Sequence, residues 1–169
     1  MIRAVFFDLG DTLVDEEDIG GKPLWEVTLK KLPYFDEVLT ELKRKGFKLV
    51  MIVNTPVSRE EHIREALRKI DAEKYFDVIV TSLDVGHEKP DERIFITALR
   101  RVRVKPMEAV MVGNRISTDI VGANRVGMKT ILLKWNQRYP ERITSQEEQP
   151  THTIKSLKDL PKVLAELEV

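Results

Sequence analysis

Five short apolar runs, separated by amphipathic stretches, constrain this chain more than any other feature of its sequence. They are Ile2–Phe7, Lys48–Val53, Phe76–Thr81, Ala109–Val112 and Thr130–Leu133. Each is rich in β-branched residues and nearly continuous rather than alternating. A strand needs apolar side chains on both sides only when both of its faces are covered, the condition of a parallel sheet between helices. Between the runs the period changes to that of a helix. Tyr34–Lys45 puts Phe35, Val38, Leu39 and Leu42 on one face and stops at Gly46. Ser58 with Glu61 reads as a capping box ahead of Ile63, Ala66, Leu67 and Ile70. Pro90–Asp91 opens a third helix through Leu99, Ser117–Val126 forms a fourth that stops at Gly127, and Ser156–Leu167 forms a fifth. The pattern predicts an α/β three-layer sandwich around a five-stranded parallel sheet with right-handed crossovers. A length of 169 residues suits one domain over 1–169.

Composition removes several classes of function. Lys+Arg 28 against Asp+Glu 28 leaves no net charge to attract nucleic acid non-specifically. With Cys 0 there are no disulfides, no thiol catalysis and no cysteine-bound zinc. No apolar run reaches the roughly 18 residues of a membrane span, and the first run meets Asp8 too early for a signal-peptide core. A cytoplasmic protein is the expectation. Gly20-Gly21-Lys22-Pro23 lacks the leading glycine and the hydroxyl of a phosphate-binding P-loop, and neither a dinucleotide fingerprint nor a Gly-x-Ser-x-Gly elbow occurs. His62 and His152 lack the spacing of metal ligands.

Sheets of this kind place ligand chemistry beyond the carboxyl ends of their strands. There the sequence gathers Asp8-Leu9-Gly10-Asp11-Thr12, Asn54-Thr55, Ser82 through Lys89, and Gly113-Asn114 through Asp119. A carboxylate that ends an apolar strand is partly desolvated and must be paired, bind a cation or take a proton. Beside a hard cation, Asp8 suits nucleophilic attack on phosphorus; as a turn cap it would be structural. Lys89 suits charge neutralisation, or solvation in a loop. Asp119 suits a metal, or the dipole at a helix start.

Together these segments resemble the haloacid dehalogenase (HAD) superfamily of aspartate-nucleophile phosphohydrolases, and the likeness spans nearly the whole chain. Phe6-Phe7-Asp8-Leu9-Gly10-Asp11-Thr12-Leu13 resembles the first motif of that family and Val53-Asn54-Thr55 the second. Lys89-Pro90-Asp91 resembles the third, and Val112-Gly113-Asn114-Arg115 through Asp119-Ile120 the fourth. The resemblance implies strand order 5-4-1-2-3 and a magnesium-dependent phosphohydrolase working through an aspartyl-phosphate on Asp8. It further implies Mg2+ ligands from Asp8, the Gly10 carbonyl, Asn114 and Asp119, with Lys89 bridging Asp8 and phosphate. Asn54 or Thr55 would hold phosphate oxygens, and Asp11 would be the acid.

Three positions depart from the family pattern. Gly10 stands where its phosphatases carry an acid, Val53 where they carry a hydroxyl, and Asn114 where they carry a metal-binding aspartate. General acid catalysis is worth about 10²–10⁴-fold. A catalytically degenerate binding or interaction module is therefore the alternative. A third reading, displacement at carbon by Asp8 as in a dehalogenase, lacks the cap that would build an apolar pocket. Residues 14–32 are too few for that cap and are expected to form a short flap, with Trp25 in it as a substrate apron, an interface anchor or simple packing. An open site of this kind fits a phosphorylated small molecule, a larger phosphorylated substrate, or a second copy of the chain as lid. No nucleic acid or membrane partner is expected.

Overall fold

The computed structural model describes residues 1–19 and 21–168, with Asp18 described through its backbone only. The strands are β1 (Ala4–Phe7), β2 (Lys48–Val53), β3 (Val78–Thr81), β4 (Ala109–Gly113), β5 (Lys129–Leu133) and β6 (His152–Ile154). The helices are α1 (Phe35–Arg44), α2 (Glu60–Lys69), α3 (Ser82–Val85), α4 (Glu92–Val102), α5 (Val121–Val126) and α6 (Leu160–Leu167). All strand pairs are parallel, in the order β3-β2-β1-β4-β5-β6. The five expected strands take the expected order, and β6 extends the sheet beyond β5. This sixth strand has three residues, of which only Ile154 is buried, so it leaves no apolar run to read.

The period of two along each strand divides the core. Val5 and Phe7 of β1, Leu49 and Met51 of β2, and Val110 and Val112 of β4 pack against Phe35, Leu39, Ile63 and Leu160 from α1, α2 and α6. Ala4, Phe6, Val50, Ile52 and Met111 face the other way, onto Ile94, Phe95, Ala98 and Ala123 of α4 and α5. All four residues of β1 are fully buried, as a central strand covered on both faces requires. Register then fixes the carboxyl edge. Phe7 lies opposite Met51 on one side and Val112 on the other, so Asp8 emerges between the loops that follow β2 and β4. Among the described residues no helix is long and apolar enough to cross a membrane.

Two helix starts differ from expectation. Helix α2 begins at Glu60 behind Arg59, and the His62 imidazole Nδ1 accepts the Arg59 N–H at 2.9 Å. Ser58 is instead buried, and its Oγ accepts the Leu24 N–H at 3.4 Å, tying the 14–32 segment to the domain. The expected helix after β4 opens as a π-helical turn over Ile116–Ile120 before continuing as α5. Asp91 does cap α4, accepting from the Arg93 N–H at 2.9 Å. Within 14–32, Leu24, Val27, Leu29 and Leu32 are buried in the same core as α1 and α2. Trp25 is 43% exposed and rests against His62, with ring centroids 4.6 Å apart.

Candidate active site

The strand ends bring Asp8, Lys89 and Asp119 together. Lys89 Nζ donates to Asp8 Oδ1 at 2.9 Å, to Asp119 Oδ1 at 2.7 Å and to the Ile52 carbonyl at 2.9 Å. All three ammonium protons are thus used, although the side chain is only 2% exposed. Burial alone would push the Lys89 ammonium down; the Asp119 and Asp8 carboxylates outweigh it and hold Lys89 above its ordinary value, hence charged. Asp119 is fully buried, and its carboxyl is pushed up to about 6 by burial and then by the charge of Asp8, against the pull of Lys89. Its Oδ2 accepts the Arg115 N–H at 3.2 Å. Both Asp119 oxygens are therefore engaged within the protein. Gly113 makes room for this carboxylate, since a Cβ there would lie 2.4 Å from Asp119 Oδ2.

The second oxygen of Asp8 faces Asn114. One end of the Asn114 amide stands 3.0 Å from Asp8 Oδ2 and 3.2 Å from the Gly10 carbonyl oxygen. With its nitrogen turned that way, the amide donates to both. With its oxygen turned that way, three oxygens converge, and Thr12 Oγ1 donates to the amide oxygen at 3.4 Å. Adjacent oxygens around an octahedral Mg2+, at about 2.0–2.1 Å from the metal, are about 2.9 Å apart. One carboxylate, one main-chain carbonyl and one amide oxygen thus suit a hard cation in spacing and donor type. No cluster of three acidic or imidazole side chains suited to a metal occurs among the described residues. The two Asp119 oxygens are taken by Lys89 and by the Arg115 main chain.

Asn54 and Thr55 follow β2 at the same edge. The Asn54 side chain clamps the Lys89 main chain: Nδ2 donates to the Lys89 carbonyl at 3.0 Å, and Oδ1 accepts the Lys89 N–H at 2.8 Å. Thr55 Oγ1 accepts from the Ser58 N–H at 3.1 Å. Both residues line a cleft of about 500 Å3 together with Asp8, Gly10, Lys89 and Asn114.

Asp11 does not reach this cleft, which corrects its reading as the acid. Its backbone is left-handed, with φ 58°, and its side chain is fully buried. Oδ1 accepts the Glu16 N–H at 2.8 Å, while Oδ2 is held by the Arg138 guanidinium and, at 3.2 Å, by Asn136. The Trp135 indole donates to the Asp11 carbonyl at 2.8 Å. Both carboxylate oxygens of Asp11 are thus committed to partners within the protein, away from the cleft.

The same contacts reveal residues that the sequence did not single out. Glu16, Arg115 and Arg138 line the cleft, and the Tyr139 hydroxyl donates to Glu16 Oε1 at 2.6 Å. Burial, with the hydrogen bond to Glu16 behind it, pushes the Tyr139 phenol up to about 12. A Cβ on Gly10 would lie 3.3 Å from Glu16 Cγ and 3.6 Å from its Cδ. Glu16 thus occupies the space that a side chain at position 10 would take. One signal was available: Lys134–Tyr139 follows the fifth apolar run, and so lies at the carboxyl edge by the same rule that picked out the other four segments.

Comparison with known proteins adds to this geometry. Residues 24–133, more than half of the chain, match the haloacid dehalogenase-like hydrolase family. A glyceraldehyde 3-phosphate phosphatase from Methanothermobacter thermautotrophicus is 42% identical over 105 residues, which are 62% of this chain and 45% of the relative. The enzyme of the same name from Methanopyrus kandleri is 34% identical over 139 residues, 82% of this chain and 58% of the relative. The chain thus spans about half the length of these relatives. The crystal structure of a HAD phosphatase from Thermococcus onnurineus shares the fold with a TM-score of 0.80 at 24% identity, over 96% of this chain and 98% of that one. By sequence match, shared fold and the convergence of its motifs on Asp8, the chain belongs to the haloacid dehalogenase-like hydrolase family.

Proposed function

We propose that the chain is a magnesium-dependent phosphohydrolase that acts in the cytoplasm through an aspartyl-phosphate on Asp8. One observation carries this reading: Asp8 accepts from the buried Lys89 ammonium on one oxygen and turns its other oxygen toward the Gly10 carbonyl and the Asn114 amide. Asp8 attacks phosphorus, and the bond from phosphorus to the ester oxygen breaks. Glu16, the carboxyl above Gly10 in the cleft, gives that oxygen its proton. Water then attacks phosphorus, gives its proton to Glu16, and releases phosphate from Asp8. Lys89 holds Asp8 in place, and Asn54 positions Lys89 by gripping its main chain. Thr55 Oγ1 accepts from the Ser58 N–H, which leaves its own proton for a phosphate oxygen. Mg2+, held by Asp8, Gly10 and Asn114, would neutralise phosphate charge.

In this reading the chain is one domain in which the flap at 14–32 replaces a cap. Its open cleft takes a phosphorylated small molecule or the exposed phosphate of a larger substrate. The Asn114 amide favours a second reading, a binding module. Turned nitrogen-first, it closes Asp8 and Gly10 together with no cation. Turnover of p-nitrophenyl phosphate in Mg2+, and after chelation, decides between them. The phosphohydrolase reading expects hydrolysis that chelation stops and that Asp8→Asn abolishes. An Asp8→Asn variant as fast as the parent would overturn it.

A further inference from the structure

Once a phosphoryl group sits at Asp8, the other charges of the cleft bear on the rest of the substrate. Lys89 is saturated by Asp8, Asp119 and the Ile52 carbonyl. Arg138 is paired with Asp11 and lies 3.7 Å from Asp15. Arg115 differs from both. Its guanidinium forms no ion pair and no hydrogen bond with any of the described residues, and its Nε is buried without a partner. The side chain is nevertheless held in place. Its Cζ lies 4.2 Å from the centroid of the Tyr139 ring, which is itself anchored through the hydroxyl to Glu16. The Arg115 main chain is fixed from both directions by Asp119: its N–H donates to Asp119 Oδ2 at 3.2 Å, and its carbonyl accepts the Asp119 N–H at 2.9 Å. A stacked, partly desolvated guanidinium without an acceptor is a donor fork in wait of an anion, and its planar shape suits two oxygens of one oxyanion.

We propose that Arg115 binds a second anionic group of the substrate, so that the site favours phosphomonoesters bearing a carboxylate or a second phosphate over neutral ones. This rests on the phosphohydrolase reading only for which group sits at Asp8. The predicted selectivity is a ratio. Glycerol 3-phosphate and 3-phosphoglycerate differ by a hydroxymethyl group against a carboxylate, and 1,3-propanediol monophosphate and bisphosphate differ by a second phosphate.

Affinity for all four compounds is measured by titration calorimetry on the Asp8→Asn protein, and kcat/KM on the parent. A charge-assisted hydrogen bond should give a preference of about tenfold or more for the member with the second anionic group in at least one pair. The pair that responds identifies carboxylate or phosphate as the second group. Arg115→Met should bring the ratio to about one, and Arg115→Lys, which keeps the charge without the fork, should leave an intermediate ratio. A ratio near one in the parent, or one that survives Arg115→Met, would overturn the proposal. Turnover that persists in Asp8→Asn would instead overturn the phosphohydrolase reading, while the binding ratios would still test Arg115.

Discussion

On one side of the cleft Lys89 joins Asp8 and Asp119; on the other, Arg138 and Tyr139 from the loop after β5 join Asp11 and Glu16. Both are networks of opposite charges that close long loops, yet they are built differently. In the first, Lys89 and Asp119 are only 2% and 1% exposed and their side-chain polar atoms are all matched inside the protein, while Asp8 keeps one oxygen toward the cleft. In the second, Arg138 is 32% exposed, so water shares its charge. The first is tied to the sheet through Asp8 at the end of β1 and the Ile52 carbonyl of β2; the second is a latch between two loops. The carboxylate at the strand end belongs to the buried network, while the latch contributes Glu16 and Arg138 to the wall of the cleft.

The largest effect is expected at Lys89. Lys89→Met leaves two carboxylates facing each other without their cation, and loss of one partner from a buried ion pair costs about 3–5 kcal/mol. Urea unfolding should show that loss as a lower midpoint at unchanged slope. An unchanged midpoint would mean that the triad is no more rigid than the latch.

Glu16 belongs to the latch but faces the cleft, and so sharpens the comparison. Glu16→Gln should lower kcat about 100-fold on an alkyl phosphate, whose leaving oxygen needs a proton. The loss should be much smaller on p-nitrophenyl phosphate, whose leaving group departs as an anion. Equal losses on both would assign Glu16 to the latch alone.

The smallest effect is expected at Arg138. Arg138→Gln removes a charge-assisted hydrogen bond from buried Asp11, while the Glu16 N–H and Asn136 still hold that carboxylate. Hydrogen exchange should quicken at the amides of residues 11–17 and remain slow in β1 and β2. Faster exchange throughout the sheet would join the two networks into one.

This difference also explains what the sequence made legible. Asp8, Lys89, Asn114 and Asp119 follow apolar runs or a helix start, and strand order alone brings them to one edge. Their partners could be foreseen from topology. The commitment of Asp11 to Arg138 could not, because it depends on a left-handed turn at Asp11 and on a loop more than a hundred residues away. Asn54 sits where the motif placed it, yet its amide holds the Lys89 main chain, a choice made by local geometry rather than residue type. Strand β6 escaped because three residues with one buried side chain carry no period.

In the proposed mechanism Asp8, and not Asp11 three residues on, carries the phosphoryl group. The direct test is to quench the working protein with acid during turnover of an aryl phosphate, reduce it with borohydride and map the product by mass spectrometry. Reduction converts an acyl-phosphate into the corresponding alcohol, so an aspartyl-phosphate becomes homoserine. That mechanism predicts homoserine at position 8, dependent on substrate and Mg2+, and unmodified aspartate at positions 11 and 119. Turnover with no modification at Asp8, or with homoserine at Asp11, would contradict it.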